Sequence, residues 1–211
     1  MQCIMASLVK LIPHDDGEGA PDARSGSCVT VLDGKFYVWG GHTQLLLEDP
    51  ERGMYPVEIT LPSTEDNFFD VYDLHKNQWQ RLSSDGDVPD VGNGSTMVGY
   101  RHFLYLFGGW NEGDFSSDLY CFDTHTSTWK LVELSSDCKP SPRYLTDAVV
   151  YGSNICVVGG VGRPTTQAPP AQYIEFVQYD HHYGFGWNND MYLFDVNKSK
   201  CQSNWHVDMC N

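Results

Sequence analysis

Leu104-Tyr105-Leu106-Phe107-Gly108-Gly109 decides the fold, because the same pattern occurs three times along the chain. Its counterparts are Phe36-Tyr37-Val38-Trp39-Gly40-Gly41 and Ile155-Cys156-Val157-Val158-Gly159-Gly160. Each time, four apolar residues end in a double glycine. Downstream of each pair, an aspartate closes a second aromatic run and a tryptophan follows: Asp73 and Trp79, Asp123 and Trp129, Asp195 and Trp205. A recurring unit of roughly 50 residues marks a repeat architecture, to be read unit by unit.

Upstream of the glycines the copies also align. Arg24, Gly92 and Arg143 each precede the first glycine by the same interval, with Ser27, Ser95 and Thr146 three residues later. Apolar runs Cys28-Val29-Thr30-Val31, Thr96-Met97-Val98 and Ala148-Val149-Val150 come next. Continuous apolar runs of this length read as strands buried on both faces, whereas half-exposed strands alternate. Trp79, Trp129 and Trp205 are large plates suited to filling a wedge between sheets. The glycine pair marks a place where a neighbouring backbone leaves no room for a Cβ. No helix-period segment is present.

The pattern resembles the kelch repeat, whose units are four-stranded blades of a β-propeller. The expected fold is all-β, with about three blades of an incomplete ring. The chain divides into a stub (1–20), a first blade (21–92, with a long loop 42–67), a second (93–143), a third (144–205, with a long loop 161–187) and a tail (206–211). A ring of six or seven such units needs about 300 residues or more. The chain is therefore expected to be a piece of a longer propeller, with a bare apolar face at each end and poor solubility by itself.

The net charge of −15 argues against nucleic acid as the main partner, since phosphate binding needs a basic surface. Seven cysteines without a Cys-x-x-Cys pair point to a reducing compartment, with neither disulfides nor zinc. No signal peptide or run of transmembrane length is seen, so the expected location is cytoplasmic, nuclear or both, with no membrane partner. His181-His182 suggests a metal at first sight. Neighbouring residues of an extended loop point opposite ways, however, and the expectation is no metal and no cofactor.

Differences between copies locate the function. From second glycine to aspartate there are 14 residues in the middle copy (Gly109 to Asp123), 32 in the first (Gly41 to Asp73) and 35 in the third (Gly160 to Asp195). The third insertion carries Tyr173, Phe176, Tyr179, Tyr183, Phe185 and Trp187. Such aromatics line a peptide pocket at a propeller mouth, or they pin the loop to the blades. Arg24 and Arg143 stand near the channel, where each either meets a carboxylate of a ligand or ties its own turn.

Within kelch proteins the chain is similar to the kelch domain-containing protein 1 and 2 group, substrate receptors of cullin-RING ubiquitin ligases. Tyr37-Val38-Trp39-Gly40-Gly41, Leu61-Pro62, Gly86-Asp87-Val88-Pro89 before Gly94-Ser95, the run 104–109 and Gly186-Trp187-Asn188 carry the resemblance. It implies a non-catalytic module that holds the C-terminal tail of a target protein and reaches elongin B/C and a cullin through a later segment. Trp187 matches a pocket tryptophan of that group, and Arg143 keeps a basic residue where the group has lysine. His42 and Val161 stand where a better-known member has pocket tyrosines, and Leu145 where it has a contacting lysine. Two alternatives stay open: a generic scaffold without a ubiquitin role, and a metal-dependent kelch enzyme.

Overall fold

Short apolar runs separated by glycine turns build sheets, and the described residues contain strands and no helix. The structure is a computed structural model that describes residues 21–51, 53–60, 68–111, 113–134, 139–163, 176–180, 184–197 and 200–203. The first blade holds β1 (Cys28–Leu32), β2 (Lys35–Trp39), a hairpin of β3 (His42–Asp49) and β4 (Gly53–Thr60), then β5 (Phe68–Asp73) and β6 (Gln78–Ser83). Its sheet order is β1-β2-β5-β6. The second holds β7 (Asp85–Gly86), β8 (Thr96–Tyr100), β9 (Phe103–Phe107), a minor hairpin of β10 (Trp110–Asn111) and β11 (Asp114–Phe115), β12 (Leu119–Asp123) and β13 (Thr128–Val132).

The third begins with β14 (Arg143–Tyr144), β15 (Asp147–Tyr151), β16 (Asn154–Val158) and β17 (Val161–Gly162). It continues with β18 (Phe176–Asp180), β19 (Phe185–Asn188), β20 (Met191–Asp195) and β21 (Lys200–Ser203). Its main sheet runs β15-β16-β20-β21. First strands neighbour one another, β1 beside β8 and β8 beside β15, so the blades fan about one axis. The ring stays open.

Backbone contacts at the glycines lock each blade to the next. Gly40 and Gly41 have φ of +71° and +95°, and the Gly41 N–H donates to the Gly92 carbonyl at 2.6 Å. One blade on, the Gly109 N–H donates to the Arg143 carbonyl at 2.9 Å, and a Cβ on Gly108 would stand 2.6 Å from that oxygen. Left-handed φ and a backbone at contact distance both select glycine. The repeated aspartate is explained locally. Asp73 Oδ1 accepts from the His75 and Lys76 N–H groups (2.9 and 3.0 Å), Asp123 Oδ1 from His125, and Asp195 Oδ1 from Asn197. Each aspartate closes the turn into the fourth strand. The Lys76 N–H, foremost, holds the Asp73 carboxyl below the usual carboxylate range.

Two apolar seams result. Trp39, Phe69, Val71, Leu104, Phe122 and Trp129 fill the first, with Trp129 stacked on Phe69 at 5.3 Å. Val98, Phe107, Leu119, Ile155, Val157 and Phe194 fill the second. Cys28, Cys121 and Cys156 are free thiols within these strands, and burial pushes Cys28 up to about 12.

Several expectations need correction. Only the middle blade is covered on both sides. In β1, Val29 and Val31 are each 51% exposed, and in β15 Val149 and Tyr151 are 58% and 79% exposed, because those faces have no neighbouring blade. Trp129 faces the preceding blade, and Trp79, at the same place in the first blade, packs on Tyr72 at 5.1 Å on the bare side rather than in a wedge. Trp205 lies outside the described residues. The blade boundaries also shift. β7 pairs in parallel with β13, giving the middle sheet a fifth strand from before residue 92, and β14 places Arg143 with the third blade. The long loop 42–67 is largely a hairpin, with His42 opposite Thr60 and a turn at Asp49 to Gly53.

Gly40→Ala is expected to lower stability by about 3 kcal/mol or more, since strain adds to a backbone clash. Gly152→Ala, at φ +62° with open space around it, should cost only about 1 kcal/mol. Urea midpoints compare the two. For Asp73, a folded pKa below the unfolded one gives stability that is present above about pH 4 and lost as pH falls. Between pH 5 and 3 the wild-type midpoint should therefore fall more steeply than that of Asp73→Asn.

Candidate peptide-binding face

Connections between second and third strands, and linkers between blades, emerge on one face of the fan. All five candidate residues lie along it. Arg143 is fully buried. Its Nε and Nη2 donate to the carbonyl and Oγ of Ser141 at 3.0 and 2.7 Å, and Nη1 donates to the Gly159 carbonyl at 2.9 Å. Nη1 and Nη2 also grip both Asp190 oxygens, at 2.5 and 3.1 Å. These contacts use every N–H of the guanidinium. Arg143 therefore ties its own blade and presents no donor to a peptide, which corrects the ligand-binding alternative for this residue.

Arg24 does the same work less completely. Nη1 reaches the Gly40 carbonyl at 3.4 Å, and Nη2 lies 2.7 Å from Asp70 Oδ2. Asp70 receives no well-directed hydrogen bond; burial pushes its carboxyl up, while Arg24 and Arg81 pull it down. The middle blade has Gly92 at this position. There Asp118, the counterpart of Asp190, is held instead by Lys139 at 2.7 Å.

The other three candidates differ in exposure. His42 Nε2 meets Ser25 Oγ at 3.0 Å, while its Nδ1 is buried without a partner. Val161 is buried in β17, directly opposite both Tyr144 of β14 and Trp187 of β19. Directly opposed residues share a sheet face, so Tyr144, Val161 and Trp187 form one row, about 10 Å across at ordinary strand spacing. Trp187 is 43% exposed, with Phe185 edge-on at 5.9 Å. Tyr173 and Tyr183 lie outside the described residues, and only the backbone of Phe176 and Tyr179 is placed.

Phe115, which the sequence did not single out, extends this row. It stacks on Tyr144 at 5.0 Å with planes 8° apart, and the Arg163 guanidinium sits 5.2 Å above its ring. Phe115 also walls a cleft of about 410 Å³, in which Asp90, Asp114, Asp118 and Lys139 supply the charge. The face can therefore offer aromatic stacking, an exposed guanidinium and an acidic recess.

Blades of four antiparallel strands fanned about an axis, locked at paired glycines, define a propeller-forming repeat domain with a peptide-scale recess on its loop face. A family model described as "KLHDC2/KLHL20/DRC7 Kelch-repeats domain" matches residues 8–160 and 60–208, and the chain belongs to the kelch-repeat family, a protein-interaction fold. It is 29% identical over 181 residues to Kelch domain-containing protein 1 of Mus musculus, covering 83% of this chain and 41% of that protein. Kelch domain-containing protein 2 of Homo sapiens is 28% identical over 186 residues, with 83% and 42% covered. N-(sulfonatooxy)prop-2-enimidothioate sulfolyase of Thlaspi arvense is 30% identical over 166 residues, with 78% and 43% covered. The chain thus spans about two fifths of the length of these relatives.

Arg143→Ala should destabilise the protein by about 3 kcal/mol, because it strands Asp190 and the Gly159 carbonyl. Arg143→Lys should recover less than half of that, since an ammonium cannot reproduce the fork. Chemical denaturation of both variants measures the difference.

Proposed function

We propose that this chain contributes to the substrate-recognition propeller of a cullin-RING ubiquitin ligase and binds the C-terminal tail of a target protein without catalysis of its own. The observation carrying the reading is the row from Phe115 through Tyr144 to the half-exposed Trp187 on the loop face. Aromatic residues in such rows supply most of the affinity for an extended peptide. Elongin B/C and a cullin are the proposed ligase partners, reached through other parts of the protein, and the cytoplasm or nucleus is the proposed location. Neither nucleic acid nor a membrane is a proposed partner.

The similarity to Kelch domain-containing proteins 1 and 2 supports this reading over a generic scaffold. A relative bearing a sulfolyase name makes catalysis the second reading, to which we assign no residue of this chain.

The test uses full-length protein and a panel of peptides that differ only in a free or amidated C-terminus, followed by fluorescence anisotropy. Binding should require the free carboxylate, and Trp187→Ala should weaken it about 10-fold or more. Affinity purification should recover elongin and cullin subunits. Recovery of neither would favour the generic scaffold, and equal binding of both peptide forms would refute recognition of a terminus.

A further inference from the structure

Two turns meet on the opposite face of the middle blade, one joining β8 to β9 and the other joining β12 to β13. They are tied together: the Thr124 N–H and Oγ1 both donate to the His102 carbonyl, at 3.1 and 2.8 Å. Around this junction stand His102, Asp123 and His125, each offering a ligand atom within 4.8 Å of the others. The two imidazoles are stacked, with centroids 4.4 Å apart and planes 3° from parallel. Asp123 Oδ1 accepts from the His125 N–H at 2.8 Å, which fixes the carboxylate and leaves Oδ2 as its ligand atom.

The repeat provides its own comparison. Aligned on the double glycine, Gly34 and Ser153 occupy the place of His102; aligned on the turn-closing aspartate, His75 and Asn197 occupy that of His125. In the first blade His75 lies over Gly34, where a Cβ would stand 2.8 Å from Nε2. In the third, Ser153 Oγ donates to Asp195 Oδ1 at 3.2 Å. All three blades keep the aspartate that closes the turn. Among the described residues, the middle blade alone adds two imidazoles to it.

We propose that His102, Asp123 and His125 bind a divalent transition-metal ion, zinc above all, across the two turns of the middle blade. Two imidazole nitrogens and one carboxylate oxygen suit zinc, with the fourth tetrahedral position open to water. Zinc bonds of about 2.1 Å place tetrahedral ligands roughly 3.4 Å apart, so the donors must close by up to about 1.5 Å. Side-chain rotation supplies that movement, since His125 is exposed. Parallel stacked rings cannot both aim lone pairs at one ion, so binding turns His125 out of the stack. The bound ion then staples the first pair of strands to the second, away from the peptide face.

Metal-stripped full-length protein is dialysed against zinc, and bound metal is counted by elemental analysis. His102→Ala and His125→Ala should each lower the stoichiometry by one ion per chain, while His75→Ala leaves it unchanged. Cobalt should give tetrahedral visible absorption that both variants lose. Zinc should raise the wild-type Tm by a few degrees and leave that of His125→Ala unmoved. Matching melts of wild type and His125→Ala in chelator show that the variant is folded. Equal zinc stoichiometry in wild type and the double variant would overturn the proposal, as would a wild type that binds no zinc at 100-fold excess over protein.

Discussion

Everything in this fold depends on two main chains approaching one another at the double glycines. A propeller blade has apolar side chains on both faces, and side-chain burial alone would allow neighbouring blades to slide. The bonds from Gly41 to Gly92 and from Gly109 to Arg143 fix that slide, and both rely on the open space and positive φ of glycine. With the axis set in this way, Trp39, Phe69 and Trp129 meet in one seam, and Ile155, Val157 and Phe194 fill the other.

Behind the first and third glycine pairs a buried arginine supports a glycine carbonyl. Arg24 and Arg143 bind the carbonyls of Gly40 and Gly159 and also hold an aspartate near the third strand. The middle blade meets the same need from outside, with Lys139 of the following linker on Asp118. With this support supplied by the blades and their linkers, the connections on the loop face can vary in length. The β3–β4 hairpin and the segment from β17 to β19 use that freedom.

Much of this was legible in the residues. Aromatic runs ending in glycine pairs gave the strands, the clasps and the wedge role of Trp129. The arginine partners were not legible, because Asp70 lies three residues before the strand-ending aspartate and Asp190 lies five before it. No fixed spacing connects them; only the folded blade does. The hairpin at 42–60 had a signal, Asp49-Pro50-Glu51-Arg52-Gly53, whose proline and glycine suit a turn. Phe115 gave none, since its role depends on Tyr144 arriving from the next blade. His102 and His125 stand far apart in sequence, and their meeting follows from pairing β9 with β12.

The unequal furnishing of the two seams has an optical consequence. Trp39 and Trp129 are both buried, with rings 5.0 Å apart, in the joint between the first and second blades. The joint between the second and third is built from valine, leucine, isoleucine, tyrosine and phenylalanine among the described residues. Among the described residues, blue-shifted indole emission therefore reports on the first joint. Parting of the first two blades exposes Trp39 and Trp129 to water and shifts their emission to longer wavelengths.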